Sequence, residues 1–146
     1  MQTMTEDAVV DASVVAKWFI EERGTPKALE VQRQFVSGEL NLHAPILMPY
    51  EVLNALKYSR LFKKTELREL ATALMYYRFK LEAPDKRMLV ITASIASETG
   101  FTIYDAAYLA LATTFEWALY TSDAELARAA KKLDSDLEVH EVSGNS

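Results

Sequence analysis

Four acids in this 146-residue chain stand where short elements begin or end, and carboxylates placed that way can act together. Asp11 directly follows the apolar run Ala8-Val9-Val10, which reads as a short strand. Asp123 lies two residues after the run WALY, in Thr121-Ser122-Asp123. In a parallel sheet both acids project from the carboxyl edge, where open α/β sheets place their ligand sites. Glu51 and Asp105 each fall in the first turn of an expected helix. If those helices return to the same edge, four carboxylates share one crevice. Like charges that close raise one another's pKa and weaken the fold, so they need a cation. No Lys or Arg stands beside Asp11, Asp105 or Asp123, and Lys17 is the base nearest Asp11 in the chain. All-oxygen donors suit Mg²⁺ or Mn²⁺, and the absence of cysteine disfavours zinc. Such an ion activates bound water and shields charge on a scissile phosphate, which is phosphodiester hydrolysis. Taken singly, each acid also has a local explanation. Asp11, Asp105 and Asp123 are plausible helix caps, and Glu51 complements a helix dipole.

The elements that must position these acids alternate along the chain. Strands are expected at 8–11, 40–44, 81–83, 117–121 and 137–142. A first helix, capped by Ser13 or Asp11, runs through Val15, Trp18 and Phe19 to about Glu22. Gly24 ends it, and Pro26 at the first helical position opens a second, which Gly38 closes. Pro49 opens a third over PYEVLNALKYSRLF. Thr65 caps a fourth, Asp85 a fifth that ends near Gly100 with Leu89, Ile91, Ala93, Ile95 and Ala96 on its apolar face. Asp105 opens a sixth (AAYLALAT) after an extended approach at 101–103, and Asp123 caps a seventh (DAELARAAKK). Short apolar strands alternating with helices predict an α/β three-layer sandwich: a central parallel sheet of four to five strands flanked by about seven helices. No linker, repeat or low-complexity stretch divides the chain, so residues 1–146 are expected to form one domain with short flexible ends, including the polar tail SGNS.

The acids sit in the stretches VVDASVVAKWF, PYEVLNAL, TIYDAAYLALA and ALYTSDAELARAA. Together these resemble the PIN-domain family, and in particular its small VapC-type toxin ribonucleases, over nearly the whole chain. The resemblance carries the family's acidic roles to Asp11, Glu51, Asp105 and Asp123, and its small hydroxyl residues to Ser13 and Thr121. It implies a PIN-like nuclease fold and Mg²⁺- or Mn²⁺-dependent endonucleolytic cleavage of RNA, leaving a 5′-phosphate and a 3′-hydroxyl. It also implies a homodimer and, for the toxins, a small antitoxin protein as partner. Asp11, Asp105 and Asp123 would bind the metal directly or through water. Glu51 would complete the site or orient the attacking water as general base. Ser13 and Thr121 would hold carboxylates in place. Two features depart from the family pattern. Seven residues precede the expected first strand, and no arginine stands beside the acids as a transition-state cation.

Net charge is −5, from 21 acids and 16 bases, which taken alone argues against nucleic acid. Its distribution does not. From Lys57 to Arg87 nine bases face four acids, a net of +5. Lys57, Arg60, Lys63 and Lys64 follow Glu51 on the same helix and its exit, where they could contact RNA phosphates or form an ordinary solvated face. Tyr50 or Tyr58 could stack on an unpaired base. His43 and His140 are far apart and read as structural; Trp18, Phe19, Trp117 and Tyr108 read as packing. The stripe from Leu61 to Tyr77 suits a dimer face, an antitoxin groove or plain core. No apolar run reaches the roughly 18 residues of a membrane span, and the start MQTMTEDAVV is unlike a secretory signal, so no membrane association and a cytoplasmic location are expected. Other functions remain open. A phosphatase of the haloacid dehalogenase type wants a second Asp where Ser13 stands. A receiver domain wants an acidic pair and a late lysine that are not evident. A solitary RNA-processing nuclease and a non-catalytic PIN-fold interaction module keep the fold without the toxin role.

Overall fold

The computed structural model describes residues 4–143. Gly144 to Ser146, most of the expected tail, lie outside the described residues. The chain runs β1 (Glu6–Val10), α1 (Ala12–Ala16), α2 (Thr25–Val36), β2 (Leu40–Pro45), α3 (Met48–Ser59), α4 (Lys64–Tyr76), β3 (Lys80–Glu82), α5 (Lys86–Thr99), α6 (Ile103–Phe115), β4 (Ala118–Thr121), α7 (Ala124–Leu133) and β5 (Val139–Glu141). The five strands form one parallel sheet in the order β3-β2-β1-β4-β5. Helices pack on its faces to make a three-layer α/β sandwich, with α6 against β1 and β2 and α7 against β4 and β5. A strand covered on both faces has no polar side to show, and Ala8, Val9 and Val10 of β1 are all buried. Helix α6 carries the largest number of buried residues among the helices, with Ala106 and every residue from Tyr108 to Ala112 buried.

Strand order fixes where a site can form. The chain leaves β1 for β2 and β3 on one side, then returns to β4 and β5 on the other. The crevice between β1 and β4 is therefore the topological switch point, the place where the loops beyond the two strands part. Asp11 follows β1 and Thr121 ends β4, with Val10 opposite Tyr120 in register.

Several boundaries differ from those expected, each for a local reason. Helix α1 stops at Ala16 instead of near Glu22. The amides of Lys17, Trp18 and Phe19 bond three residues back, a tighter winding than an α-helix. That turn delivers the Trp18 indole N–H to the Ala28 carbonyl of α2 at 2.8 Å. Helix α3 ends at Ser59, and Arg60 takes a left-handed conformation (φ 61°), so the segment 60–62 leaves the helix. The Ser59 hydroxyl bonds the Leu56 carbonyl at 2.6 Å, competing with the helix's own ladder. Helix α4 starts at Lys64, with the Glu66 carboxylate accepting from the Lys63 amide at 2.8 Å; Thr65 lies inside it. Helix α6 starts at Ile103 because Thr102, not Asp105, caps it. On α5 Leu89 is exposed, and Thr92 and Ile95 are the buried positions. Strand β1 begins at Glu6 and ends at Val10, β2 reaches Pro45, β3 is displaced by one residue, β4 starts one residue later, and β5 shortens to three. Of the stripe on α4, Leu74 is buried and Leu67, Leu70 and Tyr77 pack against the core, while Leu61, Met75 and Tyr76 are exposed.

Gly24 caps α2 at φ 89°, where a side chain is strained, and a Cβ there would lie 2.9 Å from the Val142 carbonyl oxygen. Gly38 has a similar φ of 86° and open space around it. Gly38→Ala should therefore lose only the conformational term, about 1 kcal/mol. Gly24→Ala should lose more, roughly 2–3 kcal/mol, because backbone must also move. Paired urea melts of the two variants measure the difference, and equal losses would mean that the Val142 contact is not felt.

Candidate active site

Asp11 emerges from β1 into the switch point and is only 8 % exposed. Its backbone amide still pairs with the Tyr120 carbonyl of β4 at 2.9 Å, so the two strands stay joined up to the acid. Asp11 occupies the cap position of α1 but makes no side-chain cap bond. Its Oδ2 instead accepts from the Ser13 hydroxyl and the Thr121 hydroxyl, each at 2.8 Å. Both hydroxyls are held from behind: the Asp123 amide donates to Thr121 Oγ1 and the Ser122 amide to Ser13 Oγ, both at 3.0 Å. Burial pushes the Asp11 carboxyl up, the two hydroxyls pull it down, and Asp105 adds a further upward push.

Glu51 lies in the first turn of α3 and is half-buried. Its Oε1 accepts the Tyr108 phenol proton at 2.6 Å. Burial raises its pKa most; the tyrosine opposes this, and Asp11 and Asp105 reinforce it. Asp105 sits in the first turn of α6, but the Thr102 hydroxyl takes the cap role by accepting the Asp105 amide at 3.1 Å. Burial and then Asp123 raise the Asp105 pKa, and the Thr102 side chain pulls it down. Asp123 does cap α7, its Oδ1 accepting from the amides of Glu125 at 2.9 Å and Leu126 at 3.2 Å. Local capping thus accounts for Asp123 among these acids, and not for Asp11 or Asp105.

The four acids neighbour one another in a row: Asp11 and Asp105 both act on Glu51, Asp105 acts on Asp11, and Asp123 acts on Asp105. Ser13 and Thr121 belong to it through Asp11. Lys17, the base nearest Asp11 in sequence, is paired with Glu22 at 3.0 Å. Among the described residues no three His, Cys, Asp or Glu side chains are gathered closely enough to hold a metal ion as they stand. The donors of the four acids are hard oxygens throughout, the chemistry that Mg²⁺ or Mn²⁺ takes. Lys57, Arg60, Lys63 and Lys64 are exposed, around the α3–α4 turn at the far end of α3 from Glu51. They do not join the acids. His43 is buried, 2.8 Å from Asp7 through Nε2 and stacked on Trp117 at 3.8 Å, while His140 stacks on Tyr120 at 4.4 Å. Tyr108 is the contact the sequence reading left as packing. Its signal was its spacing, three residues after Asp105 and hence on the same helical face.

An open α/β sheet with its acids gathered at the switch point defines a protein that works at the carboxyl edge of its strands. The PIN domain profile matches residues 8–132, and this chain belongs to the PIN domain family. It is similar to a protein named Ribonuclease VapC3 from Pyrobaculum aerophilum, 33 % identical over 123 residues that cover 82 % of this chain and 91 % of that one. Its fold matches the crystal structure of PAE2754 from Pyrobaculum aerophilum with a TM-score of 0.60 and 25 % identity, covering 88 % of this chain and 87 % of that one. It also matches a toxin-antitoxin complex from Klebsiella pneumoniae with a TM-score of 0.62 and 17 % identity, covering 94 % of this chain and 99 % of that one.

The raised carboxyls set a pH dependence. A carboxyl whose folded pKa exceeds its unfolded value costs the fold nothing at pH below the unfolded value and its full penalty above the folded one. Stability of the metal-free protein therefore falls as pH rises through that window. Asp105→Asn removes the Asp105 penalty and its push on Asp11 and Glu51. Without metal, this variant should melt higher than wild type at pH 7, by about 2–4 °C per kcal/mol relieved. The gain should vanish as pH falls towards the ordinary aspartate value of 3.8. Melting curves from pH 3.5 to 8 in chelator test this, and a lower melting point at pH 7 would contradict it.

Proposed function

We propose that this chain is a metal-dependent endoribonuclease that acts as the toxin of a toxin–antitoxin pair, with residues 1–146 working as one PIN-like nuclease domain. The observation that carries the reading is the row of acids at the switch point, in which Asp105 pushes up Asp11 and Glu51 and is itself pushed up by Asp123. Family membership and the 33 % identical relative named as a ribonuclease support it. Asp11, Asp105 and Asp123, with Glu51, would hold Mg²⁺ or Mn²⁺. When bound, such an ion supplies charge shielding on the phosphate and acidifies its water. Asp11 offers an oriented carboxylate because Ser13 and Thr121 fix its rotation. Glu51, with Oε1 occupied by Tyr108, keeps Oε2 to orient the attacking water and accept its proton. Its raised pKa makes it a better proton acceptor than an ordinary surface glutamate.

Lys57, Arg60, Lys63 and Lys64 contact RNA phosphates on the approach to the acids, and the exposed Tyr50 and Tyr58 are available for base stacking. A small antitoxin protein restrains the activity. A second copy of the chain completes a homodimer through the apolar groove of about 320 Å³ between the α5–α6 pair and the end of β2, rimmed by exposed Ile46, Leu89, Ile103, Tyr104 and Phe115. Among the described residues no helix is long and apolar enough to cross a membrane, in keeping with work in the cytoplasm.

Asp11→Asn and Asp105→Asn should each abolish Mn²⁺-stimulated cleavage of RNA, a loss larger than the roughly 10–100-fold that follows removal of an outer partner. Circular dichroism should show both folded; full activity in both variants would overturn the assignment. Cleavage of p-nitrophenyl phosphate in place of RNA would mark a phosphatase instead. Changing Lys57, Arg60, Lys63 and Lys64 together to Ala should flatten the salt dependence of RNA binding, by up to about 3 in log–log slope. Leu89→Glu should give a monomer by light scattering where the wild-type chain is a dimer.

A further inference from the structure

Tyr108 is 0 % exposed and sits in the middle of α6, three residues after Asp105. A buried tyrosine must find a partner for its hydroxyl. This one finds it in α3, an element that carries an acid: the phenol O–H donates to Glu51 Oε1 at 2.6 Å, across 57 residues of sequence. An ordinary tyrosine keeps its proton at neutral pH, so the phenol is the donor and the carboxylate the acceptor. Tyr104, the same residue type one turn earlier on α6, is 61 % exposed and reaches none of this. Packing alone would be served by phenylalanine; the hydroxyl is what links α3 and α6.

We infer that Tyr108 is a positioning residue that clamps Glu51, engaging Oε1 and leaving Oε2 for the shared crevice. The inference rests on the reading of the four acids as a metal site. A half-buried glutamate has three side-chain torsions to fix, and one short charge-assisted bond from a rigid ring removes most of that freedom. Loss of such an outer partner lowers metal affinity by about 10–100-fold in comparable sites.

The test is Mn²⁺ binding to the full chain without RNA, followed by calorimetry or by the electron paramagnetic resonance of free Mn²⁺. Tyr108→Phe deletes only the hydroxyl, and circular dichroism checks that it folds. It should weaken Mn²⁺ binding about 10-fold or more. In a Glu51→Ala background the same substitution should change nothing further, because no carboxylate remains to be clamped. A loss of equal size in that background would mean that Tyr108 acts through the fold, and the inference falls. Wild-type binding by Tyr108→Phe together with weakened binding by Glu51→Ala would also overturn it, leaving the metal site intact. Wild-type binding by Glu51→Ala and Asp11→Asn would remove the metal-site reading itself.

Discussion

A carboxylate that is nearly buried must be met by hydrogen-bond donors or give up its charge. Asp11 is in that position, and much of the surrounding structure follows from how it is met. Its two hydroxyl donors come from opposite ends of the chain's path, Ser13 from the start of α1 and Thr121 from the last residue of β4. Each hydroxyl accepts an amide from the turn that leads into α7. The four bonds form a two-stranded latch between segments 11–13 and 121–123. The latch sets where Asp123 can point, since the Asp123 amide is one of its members. Sheet order makes it possible, because β1 and β4 are neighbours only where the winding reverses. Replacing Thr121 by valine would keep the shape of β4 and leave a buried carboxylate with one hydroxyl fewer.

Charge is arranged on the same plan. The acidic set occupies the β1–β4 side of the switch point. The basic excess between Lys57 and Arg87 lies along the end of α3, through α4 and β3, and into the start of α5, on the β2–β3 side. Helix α3 has 12 residues, a span of about 18 Å, with Glu51 in its first turn and Lys57 in its last. One helix therefore carries negative charge to the crevice and positive charge away from it. A net charge of −5 averages over this separation and hides it.

The alternation of short apolar strands with helices was legible in the sequence because burial on both faces leaves a strand no polar positions. The acids were legible for a related reason: they interrupt apolar runs at points where a chain must turn. What escaped the sequence was which of two equivalent local roles each residue takes. Asp105 and Thr102 are both good caps three residues apart, and the structure gives the cap to Thr102. Asp11 could have capped α1 and instead turns to Ser13 and to Thr121, 110 residues away. Tyr108 has the periodicity of a core residue and is one; the partner of its hydroxyl lies 57 residues away, where no local pattern reaches. The early end of α1 depends likewise on an indole finding a carbonyl on the next helix. Local rules state what a residue is able to do, and tertiary contacts choose among those options.

The distance in sequence between Asp11 and Thr121 also governs when the site comes into being. A chain made from its N-terminus exposes Asp11 almost at once, yet β4, the Thr121 hydroxyl and the Asp123 carboxylate arrive only after more than a hundred further residues. Until then β1 has no neighbour on that side, and α6 is still emerging when most of the protein already exists. Long-range parallel pairing is slow to form and comes late. A nascent chain, or one truncated before residue 121, thus carries Asp11, Glu51 and Asp105 without the means to hold them as a set. Assembly of the crevice therefore waits on the synthesis of β4 and the turn that follows it.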